Sequence, residues 1–238
     1  EFYIAWTSKG KILQDLGKYE EAIACYDKVI AFEDPYHSES ALFGKGVTLF
    51  QLERYEEAIT CFDETIRLHN PGTITSIDLY SVLSYKGIVF HAMGKYEEAI
   101  ACYDEAIKLD PEYSAAWYNK ANSLASLGRH KEAIACYDEA IKLDPEYSAA
   151  WYNKANSLAS LENYEESIAC CDEAIRLDPE DSFAWGNKGN SLSSLGRHKE
   201  AIVCYVVAIK LYPEYSDAWG NKANSLASLE NYEESIAC

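Results

Sequence analysis

Trp117, Trp151, Trp185 and Trp219 stand 34 residues apart. A period of that length is incompatible with one irregular core and demands a small supersecondary unit that stacks on copies of itself. The stretch AWYNKANSLASL fills Ala116 to Leu127 and Ala150 to Leu161, and returns with one change as AWGNKANSLASL from Ala218 to Leu229. Extending this frame divides the chain into units 3–38, 39–79 with an insertion, 80–113, 114–147, 148–181, 182–215 and a broken unit 216–238. One continuous domain is expected. A longer period lies on top, because GRHKEA at Gly128 and Gly196 alternates with ENYEES at Glu162 and Glu230.

Each unit reads as two helices. Trp117, Ala121 and Leu124 follow the i, i+4, i+7 spacing of one buried stripe, with Ser114 as the expected N-cap and Gly128 as the stop. Beyond it Ala133, Ile134, Tyr137, Ala140 and Ile141 repeat at helical spacing until Asp144-Pro145, where the proline ring cannot continue the hydrogen-bond ladder. The small residues Ala121, Ala133 and Ala140 let neighbouring helices approach closely enough for the aromatic rings to interdigitate. The insertion HNPGTITSID, His69 to Asp78, reads as a turn, after which the next helix is expected about a turn early, capped by Thr75 or Ser76.

The series Trp117, Ala121, Leu124, Ala133, Tyr137, Ala140 and Pro145 resembles the pattern of the tetratricopeptide repeat family over essentially the whole chain. Departures are mild: Lys120 and its equivalents replace a leucine, Ser167 and Ser235 replace an alanine, and Leu42 and Leu83 replace the tryptophan. The resemblance implies an all-α fold, a right-handed α-α superhelix (solenoid) of tandem helix-turn-helix units. It also implies that the first helix of each unit lines the concave inner surface.

With Trp117 set at zero and about 100° per residue, Ala121 lies near 40° and Leu124 near -20°, whereas Asn119 falls near 200° and Asn122 near 140°. The asparagines therefore face away from the packed stripe. In the implied superhelix they form a ladder of Asn119, Asn122, Asn153, Asn156, Asn187, Asn190, Asn221 and Asn224, with Tyr118 and Tyr152 beside it. A carboxamide offers a donor and an acceptor and so matches both polar groups of a peptide unit. The expected function is a scaffold for protein–protein interaction that holds an extended peptide by its main chain. In the first two units the corresponding wall carries Lys11, Gln14 and Asp15, then Phe43, Val47 and Phe50; an apolar side-chain pocket is expected near Phe43 and Phe50. Where members of the family that grip chaperone tails carry a lysine after the tryptophan, this chain has Tyr118, Tyr152, Gly186 and Gly220, so that mode is not expected.

The formal charge of -18 disfavours nucleic acid and anionic membranes as partners, and no apolar run approaches the roughly 20 residues of a membrane span. Glu97, Glu98, Asp104, Glu105 and their copies read as a solvated outer face. Seven cysteines, Cys25, Cys61, Cys102, Cys136, Cys170, Cys204 and Cys238, recur at one repeat position. Stacked helices hold such residues roughly 10 Å apart, too far for disulfides, so reduced thiols and a cytoplasmic location are expected. His130 and His198 stand six residues before Cys136 and Cys204, a spacing that chelates no metal. No phosphate loop, zinc spacing or catalytic constellation occurs, and no cofactor or enzymatic activity is expected. Two rival readings are the regulatory repeat region of a larger enzyme and a module that self-associates head to tail. The opening EFYIAW without Met and the ending SIAC suggest a fragment. On the head-to-tail reading Leu226 and Ile236 are expected to be partly uncovered and to receive the first helix, with Ile4, Trp6 and Leu13, of another copy.

Overall fold

The computed structural model describes residues 2–32, 34–69 and 77–230, without the side chains of Pro35 and Tyr36. Thr75, Ser76, Ile236 and Cys238, and with them the expected cap of the third unit and the second helix of the seventh, lie outside the described residues. Among the described residues there are thirteen helices and no strand. They are α1 (Phe2–Asp15), α2 (Tyr19–Ile30), α3 (Pro35–Gln51), α4 (Tyr55–Leu68), α5 (Leu79–Ala92), α6 (Tyr96–Leu109), α7 (Ser114–Ser126), α8 (His130–Leu143), α9 (Ser148–Ser160), α10 (Tyr164–Leu177), α11 (Ser182–Ser194), α12 (His198–Leu211) and α13 (Ser216–Ser228). They form tandem α-hairpins of the expected solenoid type, in two compact units, Glu1–Ser123 and Leu124–Cys238.

Local chemistry sets the punctuation. After each first helix one residue turns left-handed, at Gly17, Gly94, Gly128 and Gly196 with φ of 71 to 75°, and this releases the chain into the second helix. The same step is made by Glu53, Glu162 and Glu230 at φ 57 to 62°, where a Cβ makes it costly. After the second helix, Asp110, Asp144 and Asp178 accept the amides of Glu112, Glu146 and Glu180, so the Asp-Pro-Glu corner closes on its own carboxylate. Two expected starts differ. Ser114 is the first helical residue of α7 and not its cap, and of α9, α11 and α13 only α11 has a side-chain cap, Asp181, which accepts from the amides of Phe183 and Ala184. The helix after the insertion begins at Leu79, behind Asp78, and not a turn early, because Ile77 and Asp78 are not helical.

The core sits between the hairpins. In the first unit Tyr26, Phe62 and Tyr103 are fully buried at one repeat position, and Tyr137 and Tyr205 hold that position in the second. Each ring needs a small residue opposite: a Cβ on Gly87 would stand 2.6 Å from Tyr103, and one on Gly189 2.6 Å from Tyr205. The tryptophans are less buried than the stripe predicts. Trp117, Trp151, Trp185 and Trp219 are half-buried, and each donates its Nε1–H to the carbonyl of Pro111, Pro145, Pro179 or Pro213, at 3.0 to 3.2 Å. Indoles at this position therefore tie the first helix to the preceding corner.

Candidate functional site

The second unit orders its asparagines through the packing of α9, α11 and α13. Trp151, Ala155 and Leu158 turn one arc of α9 into the core, which leaves Asn153 and Asn156 on the other side, half-buried. Repetition does the same for Asn187 and Asn190 on α11 and for Asn221 on α13, while Asn224 is exposed. Across neighbouring repeats the carboxamides meet. Asn187 Nδ2 donates to Asn156 Oδ1, and Asn221 Nδ2 donates to Asn190 Oδ1 at 2.9 Å. Asn190 Oδ1 also accepts from the hydroxyl of Tyr205 at 3.0 Å, so a ring rooted on α12 reaches between the first helices to this face. Burial pushes the Tyr205 phenol well above its ordinary range, and that hydroxyl stays a donor.

Tyr152 is half-buried beside the same row; burial raises its pKa, partly offset by its hydrogen bond with Asn156. Tyr118, Asn119 and Asn122 stand half-buried on the part of α7 that belongs to the first unit. The wall of that unit is of another kind. Gln14 Oε1 accepts from Thr48 Oγ1 at 2.9 Å, joining α1 to α3. Phe43 packs edge-on against Tyr85 at 5.2 Å and lies tilted to Phe62 at 5.9 Å, and Phe50 lies 6.0 Å from Tyr55. The rings expected to frame an apolar pocket are thus each engaged with other aromatic side chains.

One recurring element was not expected. The lysine that replaces the family's leucine reaches back to an aspartate on the preceding second helix. The pairs are Lys45–Asp27, Lys86–Asp63 and Lys120–Asp104 in the first unit, and Lys154–Asp138 and Lys188–Asp172 in the second, at 2.5 to 2.6 Å. Part of the supposedly solvated acidic face therefore joins repeat to repeat. The signal was present in the sequence as a lysine and an aspartate repeating in step. It breaks at Val206, which faces Lys222 in the same frame. The seven described cysteines are buried and unbridged. Burial drives up the thiols of Cys61, Cys102, Cys170, Cys171 and Cys204, Cys102 to about 11 and Cys171 to about 12, far from a reactive thiolate. Among the described residues no helix is long and apolar enough to cross a membrane.

Comparison with known proteins agrees with this architecture. Among solved structures, MamA 41-end from Desulfovibrio magneticus RS-1 matches with a TM-score of 0.64 and 19% identity, over 68% of this chain and 91% of that one. YrrB, described as a TPR protein with an unusual peptide-binding site, matches at 0.59 and 23% identity, over 75% and 88%. The APC/C hetero-tetramer Cut9-Hcn1 matches at 0.74 and 14% identity, over 94% of this chain and 42% of that one. Identities this low establish the fold alone. A comparison with curated proteins returns no match. Family models described as tetratricopeptide repeat match residues 2–70, 37–112, 86–145, 120–182 and 182–215, nearly the full length. With these matches and the tandem hairpins of the described residues, the chain belongs to the tetratricopeptide repeat family.

Proposed function

We propose that the protein is a non-catalytic scaffold that holds an extended segment of a partner protein along the asparagine face of its second unit. The observation that carries this reading is the pairing of Asn187 with Asn156 and of Asn221 with Asn190. Each link uses one of the two N–H groups of the donating carboxamide, while Asn190 Oδ1 accepts from both Asn221 and Tyr205 and has its two lone pairs engaged. A partner's main-chain carbonyls then find N–H donors repeating at the spacing of the helices, already oriented by their neighbours. Preorganisation of this kind lowers the ordering cost of binding. Recognition through main-chain groups suits a partner of little side-chain constraint. The likeness to YrrB, whose description names a peptide-binding site, supports the same reading. Buried, unbridged thiols support a reducing, cytoplasmic setting.

The test is selection of peptides from a displayed library, followed by calorimetric titration of the captured peptide against Asn153→Ala/Asn187→Ala. Affinity is expected to fall by a few kcal/mol, at about 1–3 per buried main-chain group left unpaired, with little change in melting temperature. Unchanged affinity overturns the reading.

A second reading, association through α1, is favoured by Ile4, Ile12 and Leu16, which are exposed by 64%, 59% and 67%. Leu226, expected as part of the receiving surface, is buried at 3%. The contact surface in this reading is therefore the α1 face. Light scattering of Ile12→Glu/Leu16→Glu against the parent tests it, with a concentration-dependent mass in the parent alone as the expected result and equal masses as the overturning one.

A further inference from the structure

In units four to seven, the first helix places a tryptophan one turn before a lysine, and the ammonium sits over the indole. Lys120 over Trp117, Lys154 over Trp151, Lys188 over Trp185 and Lys222 over Trp219 all lie 5.5 to 5.8 Å from the ring centre. In the third unit the same two positions hold Leu83 and Lys86. Lys86 keeps its ion pair with Asp63 at 2.6 Å, but its ring contact is now Phe90, one turn further on, at 5.7 Å. Beside Leu83 a groove of about 380 Å³ lies open between α4, α5 and α6, with Leu83 and Phe90 in its apolar wall and Lys86, Glu98 and Glu105 among its polar lining. Asp63 is engaged by Lys86, whereas Glu98 and Glu105 are exposed and enter no ion pair among the described residues.

We propose that this groove receives an aromatic side chain, an indole or a phenol, from a basic segment of a partner protein. The ring would supply from outside what tryptophan supplies from within in the later units. Three features carry the assignment. The groove opens where this family's tryptophan is replaced by a shorter side chain. Lys86 is only 20% exposed, and a partly desolvated ammonium beside an apolar wall favours a π face over a saturated ring. Two unneutralised glutamates at the rim, on a chain of charge -18, select a cationic flank over an anionic one. The site lies wholly in the first unit and shares no residue with the asparagine face, so either proposal stands without the other.

The experiment titrates the full chain with tryptamine, indole-3-propionate and cyclohexylethylamine, following the methyl resonances of Ile66 and Ala101. Saturable shifts are expected with tryptamine in the millimolar range, at least about fivefold weaker binding of cyclohexylethylamine from loss of the cation–π contact, and weaker binding of indole-3-propionate. Leu83→Trp, which fills the groove from within, is expected to abolish the tryptamine response while raising the melting temperature. Lys86→Met is expected to weaken tryptamine binding in a folded chain and keeps the test decisive should Leu83→Trp disturb packing. Equal binding of the two amines, full binding to Leu83→Trp, binding indifferent to Lys86→Met, or no saturable shift with any probe overturns the proposal.

Discussion

Two stretches of the molecule place different chemistry on the same frame. At the positions two and five residues after the repeat's tryptophan, α9, α11 and α13 carry Asn153 and Asn156, Asn187 and Asn190, Asn221 and Asn224; α3 carries Gly44 and Val47, and α5 Tyr85 and Ile88. The contact between neighbouring first helices changes accordingly, from carboxamide on carboxamide in the second unit to Phe43 edge-on against Tyr85 in the first. The clasp beneath does not change: Lys45–Asp27 and Lys86–Asp63 match Lys154–Asp138 and Lys188–Asp172 to within 0.1 Å. The wall is thus separable from the frame. Residues on the packed arc and the clasp set helix spacing, and the residues facing away are free to set what is recognised.

That separation has measurable consequences. If the frame is shared, emptying its ring position should cost the same in either unit. Phe62→Ala and Tyr205→Ala, both fully buried, are each expected to lose about 3–5 kcal/mol in urea unfolding; strongly unequal losses would mean that the two frames differ.

Alkaline pH probes the buried thiols of both units. Burial lifts Cys102 from 9.0 to about 11 and Cys171 from 9.0 to about 12. The unfolded thiols release their protons first as pH rises. Their contribution is therefore complete below pH 9 and is lost as pH climbs toward the folded values. By about pH 10.5 each thiol is expected to have cost on the order of 2 kcal/mol. Unfolding titrations across that range should show a shallower fall for Cys171→Ala than for the parent.

A smaller effect separates the alternating turns. Glu162 takes with a side chain the left-handed conformation that Gly128 takes without one. Glu162→Gly in the second unit and Glu53→Gly in the first are each expected to gain about 1 kcal/mol, read as a rise in melting temperature. The smallest effect is at Val206, where the clasp lapses. Val206→Asp is expected to couple to Lys222 by no more than about 1 kcal/mol in a double-mutant cycle with Lys222→Met. Zero coupling would show that the clasp elsewhere follows helix spacing and does not help to set it.

Much of the architecture is legible in the sequence, because it depends on short-range rules repeated at a constant period. Tryptophan spacing, helical spacing of Ala133, Tyr137 and Ala140, the stops at Gly128 and Asp144-Pro145, and the outward arc of the asparagines are all local, and stacking multiplies a local choice without altering it. Pairing between repeats was not readable in the same way. Nothing within a single unit indicates that Asn187 donates to Asn156, or that Lys120 leaves the core to meet Asp104, since each contact joins residues brought together only by the spacing of stacked helices. Near-identity also conceals exceptions that only packing exposes. His198 Nδ1 lies 3.4 Å from Ser193 Oγ, while His130 Nδ1, with Ala125 in the serine's place, is buried without a hydrogen bond. Local sequence determined the helices, their order and the side each residue faces; tertiary structure decided which polar groups found partners, because a hydrogen bond depends on angstrom-scale distances that a repeat period does not encode.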